Sequence, residues 1–153
     1  MNTPVNTMQR RCRDAVARIV CKYHNTTLQD MRDVAGIREE RYVIVRHQIY
    51  YFLKTKTSLT LHQVAEVFGQ DHSTVINAVK QLNNRIDTNR IFRQEVEELS
   101  RRIDYRLDRL ETSYQTLNAV RKLRHTLDYD ELSEKLILLP RAELVKLIQN
   151  AIR

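Results

Sequence analysis

The sequence predicts an all-α fold, and two observations carry that prediction. The 153 residues include two glycines and two prolines, which leaves few points at which the chain can turn sharply. Apolar side chains recur at steps of three and four residues along almost the whole chain, as in amphipathic helices. The length allows a single domain, or one domain with an extension.

Three helices are predicted in the first third of the chain, over residues 8–23, 28–34 and 41–54. Thr27 and Asp30 can form a capping box for the second helix, and Gly36 ends it. Tyr50 and Tyr51 could stack on nucleic-acid bases, but aromatic residues at helical spacing are more often core residues. The side chains expected in the core are Ala15, Val16, Ile19, Val20, Tyr23, Ile49, Tyr50, Phe52 and Leu53.

Residues 60–82 predict two short helices joined by a tight turn. Gly69 separates the helices and can adopt a positive φ at low cost. Thr60 and Gln63 can form a capping box for the first helix, and Asp71 can cap the second. The layout is that of a helix-turn-helix, whose second helix can lie in a DNA major groove. The apolar residues at helical spacing are Leu61, Val64, Ala65, Phe68, Val75, Ile76, Val79 and Leu82.

The second of these helices begins with short polar side chains that can hydrogen-bond to base edges or phosphates. These side chains are His72, Ser73, Thr74 and Asn77. The alternative interpretation is a plain helical hairpin whose polar face meets water. The pattern by itself favours DNA binding over that alternative.

The segment FGQDHSTVINAVKQL resembles the signature of the C-terminal DNA-binding domain of DnaA, the bacterial replication initiator. The similarity extends upstream through DAVARIVCKYHNTTLQDM and VIVRHQIYYFL and is expected to end near Ile103. The resemblance implies that Asp71, His72, Ser73 and Thr74 face the major groove of a short recognition sequence. The matching signature residues are Phe68, Gly69, Asp71, His72, Ser73, Thr74, Val75, Ala78 and Leu82.

Two positions depart from the family pattern. The family has an Arg-Pro-Arg run whose first arginine reaches into the minor groove, whereas this sequence reads Val45-Arg46-His47. One interpretation is that Arg46, shifted by one place, makes this minor-groove contact. The other is that the contact is lost. Gln70 replaces the basic residue that usually precedes the Asp-His pair. The candidate DNA contacts are Arg46, His47, Thr60, Leu61, His62, Gln70, Asp71, His72, Ser73, Thr74, Asn77 and Lys80.

The composition favours an anionic partner and gives no sign of a cofactor or metal site. The formal net charge is +7, and the excess of basic residues lies mainly in the first ninety residues. The sequence holds no phosphate-binding loop, so we expect neither nucleotide binding nor a complete initiator. Cys12, Cys21 and the histidines lack metal-ligand spacing, and thiols of this kind fit a reducing cytoplasm. No apolar run is long enough to span a membrane.

A long helix is predicted over residues 91–124, followed by a helical hairpin over residues 128–152. We expect a helix-turn-helix domain over residues 1–103 and an extension over residues 104–153 that forms a homo-oligomer or binds a partner protein. The long helix carries a seam of apolar residues at steps of three and four. The seam consists of Phe92, Val96, Leu99, Ile103, Leu107, Leu110, Tyr114 and Leu117.

Three classes of function compete. The first is a sequence-specific binder of double-stranded DNA that acts in replication initiation or transcription. The second is a structural protein that keeps the fold and uses its helices for assembly. The third is an enzyme, which is disfavoured because no nucleophile, glycine-rich loop or metal set accompanies Asp71 and His72.

Overall fold

A computed structural model describes residues 6–126 together with Lys146 and Gln149. Within this part of the chain the fold is all-α, as predicted, and no strand occurs. The helices are α1 (Thr7–Tyr23), α2 (Leu28–Asp33), α3 (Glu40–Lys56), α4 (Leu61–Ala65), α5 (His72–Thr88) and α6 (Arg90–Thr126), with a short 3₁₀ turn at Glu66–Phe68. None of the helices in the described residues is long and apolar enough to cross a membrane.

Local capping interactions set the start of most of these helices. Thr27 accepts a hydrogen bond from the amide of Asp30, whose carboxylate accepts the amide of Thr27, so the predicted capping box is confirmed. Asn6 and Gln9 form a second box at α1. Asn89 accepts a hydrogen bond from the amide of Phe92 at the start of α6. Each cap satisfies amides that the first helical turn leaves without partners.

Helix α3 is the central helix of the core. Its buried side chains point around most of its circumference, because α1 and α5 both pack against it. The predicted core positions Ile49, Tyr50, Phe52 and Leu53 are all buried. In α1 the buried residues include Ala17 and Cys21, whereas Ala15 is partly exposed. The buried face of α1 is therefore rotated slightly from the predicted face.

A polar network ties three helices together inside the first unit. Gln48 is fully buried, and its side-chain oxygen lies 2.6 Å from Nε2 of His24 at the end of α1. The Nε2 group of Gln48 donates to the carboxylate of Glu95 in α6 at 2.6 Å. Both polar ends of the amide are therefore satisfied, which buried amides require.

The chain divides into two compact units, residues 1–107 and residues 108–153. The seam residues Phe92, Val96, Leu99 and Ile103 are buried in the core of the first unit. In the second unit, Leu117 and Val120 are exposed. The domain limits 1–103 and 104–153 remain a prediction. The hairpin predicted over residues 128–152 lies outside the described residues, apart from Lys146 and Gln149, which are helical.

Candidate nucleic-acid interface

The first helix of the motif starts at the capping box that the sequence predicted. Thr60 accepts a hydrogen bond from the amide of Gln63 at 3.3 Å, and the Gln63 side chain accepts the amide of Thr60 at 2.9 Å. Gln63 is buried, while Thr60 and His62 are exposed and Leu61 is partly exposed. His62 lies 3.4 Å from Glu66 on the next turn of the helix.

The turn between the two helices depends on Gly69, whose φ is 62°. This left-handed conformation allows the amide of Gly69 to donate to Glu66 and the amide of Gln70 to donate to Ala65. Gln70 is exposed just after the turn. The second helix can therefore pack closely against the first, in which Ala65 is buried.

We expect Gly69→Ala to lower the free energy of unfolding by about 1–2 kcal/mol, because a β-carbon disfavours the left-handed region. An added Cβ would meet no atom within 4 Å, so backbone strain should be the whole effect. Gly36→Ala is the matched control, since that site is equally open and has no positive φ. Urea denaturation of both variants measures the difference. Equal stabilities would contradict the assigned role of Gly69.

Helix α5 is capped by Asp71, whose carboxylate accepts a hydrogen bond from the amide of Ser73 at 2.9 Å. That bond, with smaller contributions from His72 and His62, lowers the pKa of the Asp71 carboxyl. The Nδ1 atom of His72 lies 2.9 Å from the same carboxylate oxygen of Asp71. Asp71 therefore orients the His72 ring at the exposed start of the helix.

The packing of α5 decides which of its side chains remain accessible. Val75, Ala78 and Leu82 are buried against the core, so the opposite side of the helix faces outward. Thr74 is partly buried. The exposed side chains over residues 72–80 are His72, Ser73, Ile76, Asn77 and Lys80. We call these five residues the outer stripe of α5.

For Arg46 the sequence left two interpretations, a minor-groove contact or the loss of that contact, and the structure turns its side chain inward, against the first. Its side chain is 9% exposed, and its guanidinium donates to the carbonyl oxygens of Val34 at 2.9 Å and Ile37 at 2.8 Å. Burial also lowers the pKa of this guanidinium, against a small opposing effect of Tyr50. Arg46 thus closes the carboxyl end of α2 rather than facing solvent.

His47, the neighbouring candidate, is partly buried. Burial, and next to it the charge of Arg46, lowers the pKa of the His47 imidazole below its usual value of 6.5. Both effects favour the neutral ring, which offers hydrogen bonds rather than positive charge.

Sequence reasoning missed the exposure of two residues. Ile76 was counted with the apolar packing residues but is 49% exposed. The sequence does indicate this exposure, because Val75, Ala78 and Leu82 are spaced three and four residues apart and Ile76 does not fit that spacing. Arg38 is exposed in the segment between α2 and α3, and no periodic pattern marks it.

Arg32 of α2 donates to the carbonyl of Val67 at 3.4 Å, which joins α2 to the 3₁₀ turn of the motif.

Comparison with known proteins identifies the motif. Residues 13–82 match the family model described as the bacterial dnaA protein helix-turn-helix. The chromosomal replication initiator protein DnaA of Thermoanaerobacter sp. (strain X514) is 36% identical over 84 residues, which are 55% of this chain and 18% of the relative. The proteins of the same name from Caldanaerobacter subterraneus subsp. tengcongensis and Xanthobacter autotrophicus are 36% and 30% identical over 84 and 89 residues. The chain thus spans less than a fifth of the length of these curated relatives.

Proposed function

We propose that this protein binds double-stranded DNA in a sequence-specific manner, from the premise that residues 13–82 match the bacterial dnaA protein helix-turn-helix family. The observation that carries the proposal is the outer stripe of α5, which keeps polar side chains accessible while Val75, Ala78 and Leu82 hold the opposite side of the helix in the core. The replication initiators among its relatives favour a role at a replication origin. Control of a promoter is the second role that such binding serves.

The proposed contacts divide into base readers and phosphate contacts. His72, Ser73 and Asn77 carry donors and acceptors for base edges in the major groove, and Lys80 supplies a positive charge for a phosphate. One exposed residue just before each helix of the motif, Thr60 before α4 and Gln70 before α5, is an additional candidate for a backbone contact. The proposed set also includes Leu61, His62, Thr74 and Asp71. Asp71 contributes by orienting the ring of His72.

Selection of bound duplexes from a random pool tests the proposal directly. Strong enrichment of one motif is the expected result. Absence of any enriched motif, together with tight self-association, would instead favour the structural or assembly function.

We expect His72→Ala to weaken binding to the selected duplex by about 1–3 kcal/mol and to change binding to random duplexes little. The lost group is a base reader whose ring is oriented by Asp71. Asn84→Ala is the matched control, because Asn84 is exposed on the same helix about 18 Å further along its axis. Fluorescence anisotropy with both duplexes measures the effect. Unchanged motif preference in His72→Ala would refute the assignment of α5 as the recognition helix.

We also propose that residues 104–153 mediate a homo-oligomer, with binding of a different partner protein as the alternative. The supporting observation lies in α6, where Leu117 and Val120 are 47% and 43% exposed and sit three residues apart on one face. Two copies of a helix-turn-helix domain can read two half-sites, which one copy cannot.

Light scattering at tens of micromolar should detect a dimer or larger assembly of the full chain. Leu117→Glu combined with Val120→Glu should shift the mass toward the monomer, because charges on that face oppose burial. The double variant Glu111→Gln and Gln115→Glu is the matched control on exposed positions of the same helix. A monomeric full chain would exclude self-association and leave the partner protein as the remaining proposal.

A further inference from the structure

Ile76 is an apolar side chain on an otherwise polar surface. It is 49% exposed, whereas its neighbours Val75 and Ala78 are 0% and 1% exposed in the core. Isolated exposed apolar residues are common in proteins and need no explanation by themselves. The position of Ile76, rather than its exposure, is what distinguishes it.

Ile76 occupies the middle of the outer stripe. His72 precedes it and Lys80 follows it by one helical turn, while Ser73 and Asn77 lie beside it. Residues at these spacings share one face of a helix. A groove that contacts both Ser73 and Lys80 must therefore also cover Ile76.

The chemistry of Ile76 restricts what it can recognise in that groove. Its side chain neither donates nor accepts a hydrogen bond, so it cannot read the polar edge of a base. The major groove carries one apolar group, the C5-methyl of thymine. Cytosine carries a hydrogen at C5 and an amino group at C4, and covering that donor with an isoleucine would leave it without a partner.

We propose that Ile76 is a specificity-determining residue that selects thymine by contact with its 5-methyl group. The inference rests on the proposed DNA binding and adds to it the identity of one base. Truncation of the side chain should lower the preference for thymine at one position of the site by about three- to tenfold.

The test begins with parallel selections from a random duplex pool by the unaltered protein and by Ile76→Ala. The unaltered protein should enrich a motif with a fixed thymine that becomes variable with Ile76→Ala. Replacing that thymine by deoxyuridine, which lacks the methyl group, should weaken binding of the unaltered protein about three- to tenfold and leave Ile76→Ala unaffected. Ile91→Ala, at a residue 79% exposed at the start of α6, should behave as the unaltered protein.

The outcomes separate this inference from the function on which it rests. A pool that yields no motif with the unaltered protein overturns both. A motif whose thymine preference is the same in Ile76→Ala overturns the inference and leaves sequence-specific binding standing. Equal sensitivity of both proteins to deoxyuridine also overturns it. Thermal unfolding followed by circular dichroism confirms that Ile76→Ala is folded in each case.

Discussion

Raising the salt concentration from 50 to 200 mM is expected to lower the affinity for duplex DNA by roughly 60- to 4,000-fold. Each phosphate that a Lys or Arg neutralises contributes about −0.9 to the slope of log affinity against log salt. A handful of such contacts from one domain gives a slope of roughly −3 to −6. Fluorescence anisotropy across a salt series measures this slope.

Single charge removals refine the same experiment. Lys80→Gln should reduce the magnitude of the slope by about one and weaken binding to selected and random duplexes alike, because phosphate contacts carry no sequence information. Lys22→Gln removes another exposed charge, from the last turn of α1, and should leave the slope unchanged. An affinity that is constant across the salt series would argue strongly against docking of α5 in a groove.

Arg46→Met is expected to lower the free energy of unfolding by about 2–4 kcal/mol. The guanidinium is the partner of two carbonyl oxygens, those of Val34 and Ile37, at the carboxyl end of α2. Methionine fills a similar volume but donates no hydrogen bond, so it leaves both carbonyls without that partner. Urea denaturation measures the loss.

Two further variants separate the hydrogen bonds from the charge. Arg46→Lys keeps the positive charge but lacks the planar fork that reaches both carbonyls, so it should recover only part of the stability. Arg38→Met removes an exposed arginine nearby and should change stability by less than about 0.5 kcal/mol. If Arg46→Met were as stable as the unaltered protein, the structural role of Arg46 would be wrong.

The sequence by itself determined those features that depend on residues within about four positions of each other. The capping boxes at Thr27 and Thr60, the cap at Asp71 and the turn at Gly69 are local, and each is confirmed. The single long helix α6 is confirmed as well, because no glycine or proline interrupts its apolar spacing. The match over residues 13–82 also confirms the family resemblance, which the motif around Asp71 carried.

Only the tertiary structure decided which polar groups are buried and which apolar groups are not. Arg46 is paired with carbonyls nine and twelve residues earlier in the chain, a separation at which no periodic pattern acts. Gln48 is buried because His24 and Glu95, distant in sequence, satisfy its amide. Ile76 faces outward because α5 is packed through Val75, Ala78 and Leu82. Periodicity shows that a helix has an apolar side, but the exact rotation of that side is fixed by the helices that pack against it.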